Sequence, residues 1–226
     1  MMNDNEIIRD FFMSRLERDG KSEALLDYTT GIRYYYQDFD VRSRKFANFL
    51  TDKAKIKKGD RVAICAGNCV QHIDMFYAIV RTGYIMTSYN VKLTERELSE
   101  LILKENPSVV LYEEEFGEKA AALKKRFPEV AFISTGNKKQ EGDLACYQEV
   151  LEYSDEDRSL PDHQFEDIAM LVHTGGTTGI PKAAMISYRA LYYNVINQVT
   201  AYGVNNRDVV YVCLPLFHAA AWNSLL

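Results

Sequence analysis

The chain has 226 residues, 27 basic against 32 acidic side chains for a formal charge of −5, and 47% hydrophobic residues. That is enough apolar material for a packed core in one large or two small domains, and the acidic balance disfavours a nucleic-acid or anionic-membrane surface. No apolar run approaches the roughly 18 residues of a membrane span, and the opening MMNDNEIIRD lacks the basic-then-apolar layout of a signal peptide.

Extended and helical patterns alternate along the chain, which predicts an α/β fold with sheets flanked by helices. The first expected strand is Arg33–Tyr36, whose tyrosine triplet Tyr34–Tyr36 reads as strand surface. Arg61–Ala66 follows as an apolar strand. Asn68 is a good N-cap for a helix carrying Val70, Ile73, Phe76, Tyr77 and Val80 at helical spacing before Gly83 ends it. Thr94 and Glu97 form a capping box for Glu95–Glu105, which closes before Pro107. Ser108–Tyr112 and Val130–Ser134 are the next strands. Residues 154–167, SDEDRSLPDHQFED, are polar and acidic with one proline and read as a solvated connection. The expected division is a lobe over 1–160 and the start of a second lobe over 161–226. Ile168–His173, Ala183–Ser187 and Val209–Leu214 are strands of the second part. Between the last two, Ser187 caps a helix with Leu191, Val195 and Val199 on one face and Gly203 at its C-terminal end.

Cys65, Cys69, Cys146 and Cys213 are few and irregularly spaced, which suggests reduced packing residues in a cytoplasmic protein. Cys65 and Cys69 lack a matching His/Cys pair, so no metal site is expected. His72, His163 and His173 show no ligand spacing and receive no role.

The chemistry concentrates in LVHTGGTTGIPKAAMIS, residues 171–187. Gly175, Gly176 and Gly179 allow positive φ and close backbone approach, so successive N–H groups can converge on oxyanions. Thr174, Thr177 and Thr178 add hydroxyl donors and Lys182 a point charge. Each hydrogen bond to a charged group is worth about 1.5–3 kcal/mol, so several together can hold a triphosphate against its hydration. The loop is not a Walker P-loop. Pro181 stands where the second glycine belongs and Ala183 where the Mg²⁺-binding hydroxyl belongs. Proline also restrains Ile180 to extended geometry, so the loop is expected to join two strands and not to open a helix.

The run TGGTTGIPK resembles the signature loop of the adenylate-forming superfamily of AMP-dependent synthetases and ligases, in the double-glycine form of fatty acyl-CoA synthetases. KKGDRVAICAGN (57–68), RTG (81–83), Asn90 and TERELSELI (94–102) are similar to the family's early region in the same order. LPLFHAAAW (214–222) resembles the segment that carries a histidine beside the acyl-carboxylate site. Three positions depart from the common pattern: Gly175 replaces serine, Ala183 replaces glycine, and Ser88 stands where proline is usual.

The resemblance implies the N-terminal part of the large domain of such an enzyme. It also implies a two-step reaction with ATP, Mg²⁺ and CoA, in which a carboxylic acid, expected to be a fatty acid, becomes an acyl-adenylate and then a thioester. On this reading Thr174–Gly179 and Lys182 bind the phosphates, Lys182 and His218 act in catalysis, and His218 and Trp222 border the acyl pocket. The remaining partners are small molecules, with a homodimer as one allowed assembly. An amino-acid- or aryl-acid-activating enzyme and a non-catalytic fragment stay open as alternatives. The family's ribose-binding carboxylate, acidic Mg²⁺ ligand and mobile-domain lysine have no counterpart here. Residues 1–226 are therefore expected to be a portion of a longer ligase that does not adenylate alone, with the apolar run at 214–222 partly exposed or paired with a second copy.

Overall fold

The computed structural model describes residues 3–173 and 182–225, without the side chains of 224 and 225. In chain order the elements are α1 (Asp4–Arg18), β1 (Glu23–Leu26), β2 (Arg33–Tyr35), α2 (Tyr36–Asp52), β3 (Arg61–Cys65), α3 (Val70–Thr82), β4 (Ile85–Ser88), α4 (Glu95–Glu105), β5 (Val109–Tyr112), α5 (Gly117–Arg126), β6 (Ala131–Ser134), β7 (Ala145–Cys146), α6 (Tyr147–Leu151), β8 (Ile168–His173), β9 (Ala183–Ser187), α7 (Tyr188–Tyr202) and α8 (Ala219–Leu225). Strands β1 and β2 form a small antiparallel pair. The other seven make one sheet in the order β7-β6-β5-β3-β4-β8-β9, parallel except for β9.

The parallel strands β3 to β6 are buried on both faces, as strands joined by helices require, whereas the edge strand β9 is open, with Met185 72% exposed. In β3, Val62 and Ile64 face the layer built on α1, α2, α3, α6 and α7, while Ala63 and Cys65 face α4 and α5. The chain leaves β3 toward β4 through α3 and returns past β3 to β5 through α4. Right-handed crossovers in opposite directions put the two helices on opposite faces. The strand order thus reverses about β3, with the switch point between β3 and β5.

Several local expectations hold. The Thr94 hydroxyl accepts from the Glu97 N–H, and the Glu97 carboxylate accepts from the Thr94 N–H at 2.8 Å, completing the capping box of α4. Ser187 accepts from the Ala190 N–H at the start of α7, and Gly203 ends that helix at φ 68°. Gly83 closes α3 at φ 71°, its N–H bonded to the Ile79 carbonyl at 2.7 Å.

Others need correction. Val209–Leu214 is not a strand: its residues carry no sheet pairing, with Val209 97% and Tyr211 77% exposed. β-Propensity reflects packing against neighbours, and among the described residues none pairs with this segment. The N-cap of α3 is Cys69 and not Asn68, whose side chain is bonded to a distant backbone. Tyr36 begins α2 and does not extend β2. Strands β1, β4 and β7 complete sheets without having been expected from the sequence.

Residues 154–164 form no element, but they are anchored. The His163 N–H bonds Asn5 Oδ1 and the Phe165 N–H bonds Asp4 Oδ2, each at 3.1 Å, and the buried His163 ring donates from Nε2 to the Val80 carbonyl at 2.8 Å. Beyond the expected division at 160/161, β8 pairs with β4, so the sheet is continuous across it.

Candidate functional site

The carboxyl ends of β3, β4 and β8 lie side by side because these strands are neighbours in parallel register. Each runs straight into a segment singled out by the sequence: β3 into Gly67 and Asn68, β4 into Tyr89 and Asn90, and β8 into the glycine-threonine loop. Strands β8 and β9 are antiparallel with His173 opposite Ala183, so the loop joins two paired strands as expected from Pro181. Thr174, Gly175, Gly176, Thr177, Thr178 and Gly179 themselves lie outside the described residues. Lys182, the first described residue after them, is exposed.

Asn68 brings the 214–222 segment to this edge. Its Nδ2 donates to the Leu214 carbonyl at 2.9 Å and its Oδ1 accepts from the Leu216 N–H at 2.8 Å, a bridge across 146 and 148 residues of sequence. The amide that would have capped α3 is spent here. A cleft of about 450 Å³ opens between the β8–β9 pair and this segment, walled by Val172, Ala184, Ile186 and Leu214, with His173 and His218 as its two imidazoles. His218 is exposed to the cleft, its ring 4.7 Å from that of Phe217.

Trp222 lies one turn further on and points away. It is 4% exposed, its indole N–H donates to the Leu216 carbonyl at 2.7 Å, and its ring stacks on Phe76 of α3 at 5.4 Å. His72, also on α3, sits 6.5 Å from the indole and is fully buried. Burial pushes the His72 imidazole down to about 3, opposed by a hydrogen bond to the Cys69 backbone. It is therefore a neutral core histidine. Burial likewise pushes the Cys65 and Cys69 thiols up to about 12, so neither is a thiolate nucleophile at neutral pH. The 214–222 run is divided, with Leu216, Phe217, Ala221 and Trp222 buried and His218, Ala219 and Ala220 exposed.

The structure adds a residue to which the sequence gave no role. His173, the last residue of β8, lies between two oxygens: Nδ1 is 3.2 Å from the Ser88 carbonyl and Nε2 is 2.6 Å from Glu105 Oε1, and a neutral ring donates to one of them. The one local signal was its place directly before the loop; its partners lie 85 and 68 residues away.

The profile of the family described as AMP-binding enzyme matches residues 12–226. The chain belongs to that family. A medium-chain-fatty-acid–CoA ligase of Ectopseudomonas oleovorans is 25% identical over 99% of this chain and 43% of its own length. The 4-coumarate–CoA ligase CCL1 of Humulus lupulus is 27% identical over 90% of this chain and 38% of its own. Among solved structures, ATP-bound MatB from Rhodopseudomonas palustris superposes with a TM-score of 0.83 at 24% identity, over 99% of this chain and 42% of that one. The fold is that of the N-terminal domain of adenylate-forming enzymes, and the chain spans about two fifths of the length of these relatives. Among the described residues no helix is long and apolar enough to cross a membrane.

Proposed function

We propose that this AMP-binding chain forms the phosphate-binding and acyl-facing part of an ATP-dependent acid–CoA ligase. What supports the reading is that the strands flanking TGGTTGIPK in sequence are paired, with β8 ending and β9 beginning at the carboxyl edge of the parallel sheet, beside an apolar cleft that His218 lines.

The first step joins a carboxylate oxygen of the acid to the α-phosphorus of ATP and breaks the bond to the β-phosphate bridge, giving acyl-adenylate and pyrophosphate. A thiol, proposed to be that of CoA, then takes the acyl group and releases AMP. In the first step two anions must meet, so catalysis rests on charge control and positioning. Thr174–Gly179 and Lys182 are assigned to hold the β and γ phosphates as pyrophosphate departs. His218, at the cleft, is assigned to the carboxylate end of the acid. Mg²⁺ would add charge neutralisation on the phosphates, and no residue of this chain is assigned to hold it.

The cleft walls are aliphatic, which favours a fatty acid. An aryl acid is the second reading, favoured by the relationship to the 4-coumarate ligase. The test is exchange of labelled pyrophosphate into ATP by the full natural polypeptide, driven in turn by fatty acids of graded length and by aryl acids. Exchange with fatty acids is expected, and Lys182→Ala should lower its rate by about 2–4 kcal/mol of transition-state stabilisation. Acid-independent ATP hydrolysis, or exchange indifferent to Lys182→Ala, would refute the assignment.

A further inference from the structure

The turn that presents His218 to the cleft is held through both peptide groups of one residue. The His218 N–H donates to the Pro215 carbonyl at 2.9 Å, closing a β-turn over Pro215–His218 whose central residues, Leu216 and Phe217, are 4% and 8% exposed. Burial denies the Leu216 N–H and C=O their water, so each needs a partner from elsewhere in the chain. Two distant side chains supply them. Asn68 Oδ1, in the segment that leaves β3, accepts from the Leu216 N–H at 2.8 Å, and the indole N–H of Trp222 donates to the Leu216 carbonyl at 2.7 Å. The groups themselves fix both directions. A peptide N–H and an indole N–H only donate, a peptide carbonyl only accepts, and with Nδ2 on the Leu214 carbonyl the Asn68 amide has one orientation. Beyond the turn, the His218 carbonyl accepts from the Ala221 N–H at 3.2 Å, so the His218 backbone is bonded on both sides as α8 begins.

We infer that Asn68 and Trp222 are positioning residues for His218: by bonding the two peptide groups of Leu216 they fix the tilt of the Pro215–His218 turn, and with it the direction from which the imidazole enters the cleft. The inference rests on the reading of His218 as the contact for the carboxylate end of the acid. Apolar packing of Leu216 and Phe217 would hold the turn in the core, but it is non-directional and tolerates rotation about the buried centre. Hydrogen bonds to both peptide groups of one residue do not. Trp222 thus bears on the cleft through its N–H and not through its ring, which lies on Phe76 of α3 at 5.4 Å. A misplaced imidazole weakens the contact to a carboxylate alike for every acid, whatever its tail.

The test is exchange of labelled pyrophosphate into ATP by the full natural polypeptide, driven by the same series of fatty and aryl acids. Trp222→Phe keeps a ring and loses the N–H. It is expected to lower kcat/KM for each active acid by a common factor of about five, with the KM for ATP within about twofold of the parent's. His218→Ala is expected to lower kcat/KM at least as much. Adding Trp222→Phe to His218→Ala should change nothing further, because the indole acts through the imidazole. Should Trp222→Phe melt below the assay temperature, Asn68→Ala, at an exposed position, carries the same expectations. A folded Trp222→Phe or Asn68→Ala with parental kcat/KM, or with an equal loss in the His218→Ala background, overturns the positioning role alone. His218→Ala with parental kcat/KM overturns the assignment of His218 to the acid and this inference with it.

Discussion

Acidification should loosen this fold through His72. The imidazole is fully buried between α3 and the Trp222 ring, its Nε2 has no partner among the described residues, and burial pushes it down from 6.5 to about 3. Between those values the unfolded chain binds a proton that the folded chain excludes, so stability is full above pH 6.5 and falls as the pH drops toward 3. At pH 5.0 the gap to the unfolded value is about 1.5 units, which at 1.36 kcal/mol per unit gives a loss of about 2 kcal/mol from this group. That is a large share of a domain's usual 5–15 kcal/mol. The assay is urea unfolding of the chain followed by the fluorescence of Trp222, its single tryptophan, at pH 7.5 and pH 5.0. His72→Leu, close in volume and uncharged, should reduce the difference between the two pH values by about 2 kcal/mol. His163, which burial also holds below its ordinary value, leaves a residual acid sensitivity in both proteins. If His72→Leu loses as much stability on acidification as the parent, the buried neutral histidine is not the cause and the reasoning fails.

Two further outcomes follow from the same corner of the molecule. Asn68→Ala removes both bonds that hold residues 214–216, so it should cost about 1–3 kcal/mol, and acrylamide should quench Trp222 more readily than in the parent; unchanged quenching would mean the segment is held by packing alone. Trp222→Ala should cost about 3–5 kcal/mol in unfolding free energy, as for other buried aromatics. In the full natural polypeptide the preference among acid chain lengths should stay as in the parent, because the indole packs on Phe76 away from the cleft; a shifted kcat/KM profile across acids would put the ring at the acyl pocket.

Where the determining information was local, the sequence alone was sufficient. The α4 capping box and the Ser187 and Gly203 ends of α7 are short-range hydrogen-bond patterns, and the apolar runs at Arg61–Cys65 and Val109–Tyr112 read directly as buried strands. Pro181 likewise called for a strand after it, and β9 follows. Tertiary structure decided what depends on partners. The four residues of β4 are too short to show a period and become a strand because β3 and β8 flank them, while the apolar run Val209–Leu214 carries no sheet pairing among the described residues. Asn68 had one amide to spend, and whether it capped α3 or bridged to Leu214 and Leu216 depended on a segment 146 residues away. His173 and Glu105 are unremarkable apart, and only the adjacency of β4, α4 and β8 makes them a pair. Hydrogen bonds within one turn are written in residue order, but contacts between distant segments exist only after the core has chosen which faces and strand ends meet.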